Sequence, residues 1–191
     1  VKSGGAQTAG DYANKNPNRL VPLYTDGNHT IHQSLAIIEY LDEIQENPPL
    51  LPRSAIDRAW ARSLAMDIAI DVHPLGNIRV LRYLMKNLGV SSEAKDTWGQ
   101  HWMTLGLESL EKQLSTDTRV GRFAYGDQPS LIDICLVPQI FNALSAKMDM
   151  KTYPTLMRIF HECMTLAEFI EASWENQMDA EGSNPLTPPQ E

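Results

Sequence analysis

The sequence predicts an α+β chain in which a small α/β segment precedes a larger all-helical domain. An Asp26-Gly27 pair stands between two short apolar stretches, which is the pattern of a β-hairpin. The Pro-rich segment at residues 48–52 cannot continue a helix and is typical of a linker. From Ile56 onward, apolar residues recur at helical spacing, so this part of the chain is predicted to contain helices alone.

The predicted hairpin uses residues 20–24 as its first strand and residues 30–32 as the returning strand. Gly27 favours the turn because glycine adopts a positive φ without steric cost. A helix should follow, with Ser34 as its N-cap. The apolar face of this helix is predicted to comprise Leu35, Ile38 and Leu41.

The first helix after the linker is predicted over residues 56–72. Four large apolar residues are spaced four apart on one face of it: Trp60, Leu64, Ile68 and Val72. Pro74 should interrupt the helix, because it lacks an amide hydrogen and its ring clashes with the preceding turn. The chain is then expected to resume a helix that ends near Gly89.

Three more helices are predicted in the remaining chain. One carries Trp98 and Trp102, which we interpret as core or interface residues, and runs toward Leu114. One begins near residue 130, and one opens with Pro154 at the favoured first helical position. The tail, residues 177–191, is rich in proline and poor in apolar residues, so we expect it to be poorly ordered.

Several side chains that could suggest catalysis have simpler structural explanations. Ser130 and Asp133 form a capping-box pattern, which accounts for them better than a hydroxyl–carboxylate catalytic pair does. Cys135 and Cys163 lie among apolar residues and are predicted to fill the core. The five histidines show no metal-ligand spacing, so no metal is expected.

Composition excludes several classes of function. The net charge of −8 disfavours nucleic acids and anionic membranes as partners. No apolar run approaches the roughly 20 residues that a membrane span requires. The two cysteines make neither a disulfide framework nor a CxxC pair, which favours a reducing, cytoplasmic location.

The chain is predicted to divide into four parts. Residues 1–46 form a partial α/β domain, residues 47–55 a linker, residues 56–176 an all-helical domain, and residues 177–191 the tail. Two strands and one helix do not make a stable independent sheet. We therefore expect the sequence to start inside a domain.

Five segments carry a family resemblance: Asn16-Pro17, Val21-Pro22, and residues 33–41, 71–81 and 126–139. Together they resemble the zeta class of the glutathione transferases, over residues 1 to about 174. The helix start at Gln33-Ser34 is typical of the whole superfamily. The His-Pro-Leu-x-Asn segment at residues 73–77 and the Leu-Val-Pro-Gln segment at residues 136–139 indicate the zeta class.

This resemblance implies the glutathione transferase fold, with residues 1–46 as the C-terminal part of a thioredoxin-like, glutathione-binding domain. The family activates the glutathione thiol with a Ser-Ser-Cys motif in the first half of that domain, and the sequence does not contain it. We expect the natural protein to carry this segment ahead of Val1, since the half-domain would otherwise leave a sheet edge exposed. The alternative is a truncated, inactive relative.

The resemblance also implies glutathione contacts in the first domain. Val21-Pro22 matches the family's cis-proline, which presents the Val21 backbone to the cysteinyl part of glutathione. Gln33 and Ser34 match the site of the γ-glutamyl carboxylate, where free amides and the helix dipole favour an anion. Gln7 matches a glutathione-contacting glutamine. The alternatives are that Pro22 is only an edge-strand proline, that Ser34 only caps its helix, and that Gln7 is a solvent-facing loop residue.

Three residues near Pro74 match polar contacts that the zeta class makes to glutathione and substrate: His73, Asn77 and Arg79. The Arg79 guanidinium would suit a substrate carboxylate, which it could bind through two parallel hydrogen bonds. The alternatives are a hydrogen-bonded histidine beside the helix break and a solvated arginine.

The implied activity is glutathione-dependent cis–trans isomerisation of maleylacetoacetate or a similar unsaturated dicarboxylate. The implied cofactor is glutathione, and the implied assembly is a homodimer. Two alternatives stay open: a generic glutathione transferase that conjugates electrophiles, and a non-catalytic module that binds glutathione or a partner protein.

Overall fold

The computed structural model describes residues 10–45 and 48–177, and the chain divides into two compact units, one ending at Leu50 and one starting at Leu51. The predictions for Gln7 and for the tail beyond Gln177 lie outside the described residues. The described helices and strands are α1 (Gly10–Lys15), β1 (Leu23–Asp26), β2 (His29–His32), α2 (Ser34–Ile44), α3 (Ala55–Met66), α4 (Ile78–Asn87), α5 (Ser92–Thr116), α6 (Leu131–Ser145), α7 (Pro154–Cys163) and α8 (Ala167–Ala172).

The predicted hairpin is confirmed in the first unit. Strands β1 and β2 pair antiparallel, and Asp26 lies opposite His29. Gly27 opens the two-residue turn between them with φ 55°, in the region that favours glycine. The first strand starts at Leu23, three residues later than predicted, and it is preceded by Pro22, which has no amide hydrogen for a ladder.

Helix α2 buries a different residue from those predicted. Ile37 is its buried side chain, whereas the predicted face of Leu35, Ile38 and Leu41 is half-buried. Ile37 and Leu41 are four residues apart and therefore share one side of the helix.

The helix predicted over residues 56–72 changes its geometry partway. Helix α3 ends at Met66 and continues as a π-helical turn, Asp67–Val72, followed by a 3₁₀ turn, His73–Gly76. The amide of His73 donates to the Ile68 carbonyl, five residues back. A spacing of four residues exceeds the 3.6 of an α-helix, and the wider π turn keeps the last apolar residue on the buried side. The break before Pro74 and the new helix at Ile78 agree with the prediction.

Helix α6 runs through the core of the second unit. Leu131, Ile132, Leu136 and Ile140 of α6 are at most 1% exposed. Ile132, Leu136 and Ile140 belong to one cluster with buried residues of α3, α5 and α7. Helix α5 approaches this core closely at Gly106, where a Cβ atom would lie 2.1 Å from Cγ2 of Val72.

The capping box at the start of α6 is confirmed. The carboxylate of Asp133 accepts from the Ser130 amide at 2.8 Å, from the Ser130 hydroxyl at 2.7 Å and from the Ala124 amide at 2.9 Å. Burial raises the pKa of Asp133, while these donors oppose that rise. Asp133 therefore fastens the loop at Ala124 to the start of α6, which supports its structural role.

The cysteines behave as core residues. Cys163 is fully buried and Cys135 is half-buried against the same cluster. Burial raises the pKa of both thiols, that of Cys135 to about 11, so neither is a ready thiolate at neutral pH. The described part of the chain holds no group of His, Cys, Asp and Glu that could bind a metal ion.

Three features of the helices were not predicted from the sequence. Helix α5 starts at Ser92, six residues before Trp98, because the Ser91 hydroxyl caps it by accepting from the Ala94 amide at 3.1 Å. The short helices α1 and α8 were not predicted, since six residues carry too little periodicity.

Within residues 10–45 and 48–177, no helix is both long and apolar enough to cross a membrane.

Candidate glutathione and substrate site

The Val21-Pro22 peptide bond is cis, as the resemblance implied, and Val21 is 56% exposed. The segment ahead of it is held by side chains. The buried Asn16 carboxamide donates to the Leu20 carbonyl at 2.7 Å, and the Tyr12 hydroxyl donates to the same carbonyl at 2.6 Å. Asn16 and Tyr12 therefore fix the backbone directly before Val21.

Gln33 has an unusual backbone conformation, with φ 75° and ψ 118°. A positive φ is uncommon for a residue other than glycine, and such strain is concentrated at functional sites. The prediction that Ser34 is the N-cap is wrong: Gln33 occupies the cap position and Ser34 is the first helical residue. Local propensity favours serine as a cap, but the conformation of Gln33 shifts the start of the helix by one residue.

The N-terminus of α2 is open to a ligand. Among the described residues, no side chain caps this helix end, and the first helical bond runs from the Ile37 amide to the Gln33 carbonyl. The amides of residues 34–36 therefore lack an acceptor within the helix. Gln33 and Ser34 are both exposed. Free amides at the positive end of a helix suit a carboxylate.

In the second unit, the structure brings two of the three predicted polar residues to one cavity. His73 and Asn77 line a cavity of about 640 Å³, whereas Arg79, also described, does not. The Asn77 carboxamide oxygen caps α4 by accepting from the Arg79 amide at 3.1 Å. Only the Asn77 amino group is then left to donate to a ligand. The Arg79 side chain is exposed and makes no ion pair with any described residue.

Helix α5 holds the turn that carries these residues. The indole nitrogen of Trp98 donates to the Leu75 carbonyl at 2.9 Å, and the Trp98 ring lies edge-on against Trp102. Sequence reasoning assigned both tryptophans to the core or an interface, and both are half-buried. The positioning role of Trp98 was missed, because a bond across 23 residues leaves no local sequence signal.

The wall of the cavity opposite the turn comes from α5 and from the end of α6. It includes Lys95 and Asp96, which form an ion pair at 2.8 Å, and the polar residues Gln139 and Lys147. Gln139 belongs to the Leu-Val-Pro-Gln segment that supported the resemblance, but none of these four residues was predicted as a site residue. A second cavity of about 530 Å³ contains no predicted site residue, and its Glu111 is engaged by the amides of Thr155 and Leu156 at the start of α7.

Comparison with known proteins identifies the family. Residues 3–49 match the family model for the N-terminal domain of glutathione S-transferases. A probable maleylacetoacetate isomerase of Vibrio cholerae is 42% identical over 94% of this chain and 82% of its own length. A holo structure of maleylpyruvate isomerase, a bacterial zeta-class transferase, superposes with a TM-score of 0.89 at 35% identity, over 92% of this chain and 82% of that one.

A second structure extends the similarity. The maleylacetoacetate isomerase of Methylobacterium extorquens AM1, solved with bound malonate and glutathione, has a TM-score of 0.89 at 37% identity. This alignment covers 93% of this chain and 84% of that one. The fold and the matched domain are those of a glutathione S-transferase, and the chain belongs to the zeta-class maleylacetoacetate isomerase family of these enzymes.

Proposed function

We propose that this protein is a glutathione-dependent cis–trans isomerase of maleylacetoacetate or a similar unsaturated dicarboxylate. The observation that carries the proposal is the 42% identity to a probable maleylacetoacetate isomerase, which extends over 94% of the chain and so includes both units. Two related structures named maleylpyruvate and maleylacetoacetate isomerase share the fold at TM-scores of 0.89.

Glutathione fits the first unit. Its γ-glutamyl carboxylate would accept hydrogen bonds from the amides at the start of α2, with Gln33 and Ser34 as the binding residues. Among the described residues no side chain competes for those amides. The Val21 backbone would pair with the cysteinyl part of glutathione, on a segment that Asn16 and Tyr12 hold in place. Gln7 is proposed as a further contact on the strength of the resemblance.

When bound, glutathione supplies a thiolate that adds reversibly to the substrate double bond, so that rotation can occur before the thiol leaves. His73 and Asn77 would hold the substrate from the second unit, Asn77 through its amino group alone. Arg79 would bind a substrate carboxylate, since its charge has no partner among the described residues. During this addition and release, the dicarboxylate has to stay bound while the bond that was double, now single, rotates.

The proposal includes assembly and location. A symmetric homodimer in the cytoplasm is the form that we expect, because two-fold dimers are the commonest oligomers and the sequence favours a reducing compartment. The domain boundaries at residues 46/47 and 55/56 are part of the same proposal. Light scattering that shows a monomer at micromolar concentration would contradict the dimer.

The test is an isomerase assay on the full-length protein. Conversion of maleylacetoacetate to its trans isomer should require glutathione and should fail with S-methyl glutathione, a thioether that has no thiol to add. Conjugation of chlorodinitrobenzene is measured in parallel. Rapid conjugation without isomerisation would establish the generic transferase instead, and glutathione binding without either activity would establish the non-catalytic module.

A further inference from the structure

Gln139 presents a buried amide that lacks a partner. The residue is 3% exposed and lines the 640 Å³ cavity, and its side chain makes no hydrogen bond to any described residue. Across the described chain, the indole nitrogen of Trp102 is the one fully buried side-chain polar atom without a partner. The Gln139 amide atoms are therefore not sealed off. Because Gln139 lines the cavity, a ligand there could form the hydrogen bonds that its amide lacks.

Lys147 stands where glycine is normally found. Helix α6 ends with two bonds, from the Lys147 amide to the Leu144 carbonyl at 2.9 Å and from the Met148 amide to the Ala143 carbonyl at 3.1 Å. This is the pattern of a Schellman turn, in which glycine is preferred at the position that Lys147 occupies with φ 56°. The fold thus accepts a strained backbone at a lysine that lines the cavity.

The charges around the cavity favour an anion. Lys95 and Asp96 neutralise each other in an ion pair, whereas Lys147 makes no ion pair with any described residue. Asn77 and Ile78, at the positive end of α4, also line the cavity. The only carboxylate among the described lining residues is thus already paired, and Lys147 remains as a positive charge without an ionic partner among the described residues.

We propose that this cavity binds one carboxylate of an anionic substrate, with Lys147 supplying the charge and Gln139 donating a hydrogen bond. The identity of that substrate rests on the proposed function, in which an unsaturated dicarboxylate is isomerised. The volume lies within the range of about 300–1,000 Å³ that is typical of small-molecule sites. Lys147 and Gln139 would determine specificity for an acidic end, while Arg79, outside the cavity, is left for the second carboxylate.

Binding of maleate, a cis-unsaturated dicarboxylate, provides a test that does not depend on turnover. Calorimetric titration of the full-length protein should give a dissociation constant that rises about tenfold in Lys147→Met and in Gln139→Glu, which sets a negative charge against the ligand. Lys151→Met is the matched control, since Lys151 is exposed and does not line the cavity. Equal affinity in the wild type and Lys147→Met, or an equal loss in Lys151→Met, would overturn the proposal.

Lys147→Gly separates binding from stability. Glycine adopts the backbone of residue 147 without strain, so this variant should unfold at a higher temperature than the wild type and still lose about tenfold in maleate affinity. A purely structural lysine would not combine these two results. Unchanged maleate affinity in Lys147→Gly, whatever its stability, would contradict the proposal.

The isomerase assay distinguishes this inference from the proposed function. If the wild type isomerises its substrate with glutathione and Lys147→Gly keeps the same KM, the carboxylate site is wrong and the function stands. If maleate binding depends on Lys147 but the wild type isomerises nothing, the function is wrong and the carboxylate site stands.

Discussion

The indole nitrogen of Trp98 donates a hydrogen bond of 2.9 Å to the backbone carbonyl of Leu75. Leu75 belongs to the 3₁₀ turn that begins with His73 and leads to Asn77, the cap of α4. One side chain of α5 therefore holds the segment on which the proposed substrate contacts lie. Trp102, one turn further along α5, has a buried indole nitrogen without a partner among the described residues.

These two tryptophans form a matched pair of tests. Trp98→Phe keeps most of the ring but leaves the Leu75 carbonyl unpaired, so it should lower the free energy of unfolding by about 1–3 kcal/mol and raise the KM for substrate. Trp102→Phe removes a donor that is already unpaired, so its cost should be smaller or absent. Urea unfolding of both variants measures the difference. Equal destabilisation would show that the Trp98 hydrogen bond contributes nothing specific.

Gly106 is the point of closest approach between α5 and the π turn. An alanine Cβ there would lie 2.1 Å from Cγ2 of Val72, a buried and β-branched side chain with little freedom to move. Gly106→Ala should therefore destabilise the protein by about 1–3 kcal/mol. Gly99→Ala on the same helix meets nothing within 4 Å and should stabilise it by up to about 1 kcal/mol. Thermal unfolding that ranks the two variants in the opposite order would contradict the packing.

Asp117 should contribute to acid stability through Arg119. Their side chains form a hydrogen-bonded ion pair at 2.6 Å, and Arg119 also stacks on the Trp60 ring with 3.9 Å to its centroid. The Arg119 guanidinium lowers the pKa of Asp117 from 3.8 to about 2. As the pH falls, the unfolded chain therefore binds a proton at Asp117 before the folded chain does. The stabilisation from the ion pair is complete above about pH 4 and is lost as the pH falls toward 2.

Asp117→Asn tests this contribution. The variant should melt below the wild type at pH 5, and the difference should shrink as the pH falls to 2, with a total effect of up to about 1 kcal/mol for a partly exposed pair. Asp71→Asn is a suitable control, because Asp71 is exposed and has no partner among the described residues. Thermal melts across this pH range give the result, and a constant difference between wild type and Asp117→Asn would reject the assignment.

The features that were predicted correctly depend on residues close together in the sequence. The capping box joins Ser130 to Asp133, three positions apart, and the hairpin needs a residue such as Gly27 that accepts a positive φ. The helix break depends on the ring of Pro74, which excludes the regular helix whatever packs around it. Each of these follows from local sterics or local hydrogen bonding.

The features that were missed depend on packing between distant segments. Ser34 was predicted as a cap because its type favours one, but Gln33 takes the cap position, so the helix starts one residue earlier than the cap prediction requires. The cavity combines Asn77 with Gln139 and Lys147, which are more than sixty positions away, and no periodicity relates them. The hydrogen bond between Trp98 and Leu75 likewise joins residues that are far apart in the sequence.

Gln33 offers a test of the glutathione site. Gln33→Ala removes the side-chain donor and retains the strained φ of 75°, whereas Gln33→Gly removes the donor and relieves the strain. Both variants should weaken glutathione binding by about tenfold, the effect of losing a hydrogen bond to a charged group. Only Gln33→Gly should gain stability, by up to about 1 kcal/mol. Calorimetry that shows wild-type affinity in both variants would remove Gln33 from the site.

Arg79 distinguishes an isomerase of dicarboxylates from a generic transferase. Its amide belongs to the α4 cap, while its exposed guanidinium has no ionic partner among the described residues and can serve a ligand. A dicarboxylate requires cations, whereas a neutral aromatic electrophile does not. Arg79→Met keeps an apolar stem and removes the charge, so kcat/KM for maleylacetoacetate should fall at least about tenfold, or roughly 1.4 kcal/mol of transition-state stabilisation.

Whether the loss of activity in Arg79→Met is confined to the dicarboxylate shows what Arg79 binds. Conjugation of chlorodinitrobenzene and the affinity for glutathione should change little in Arg79→Met, and Arg82→Met, an exposed arginine three residues along α4, should leave both substrates unaffected. An equal loss for both substrates would assign Arg79 to the fold or to glutathione. Because Arg79 lies outside the cavity lined by Lys147, the losses in Arg79→Met and Lys147→Met should add in the double variant. A double variant no worse than Arg79→Met would mean that both lysine and arginine serve one carboxylate.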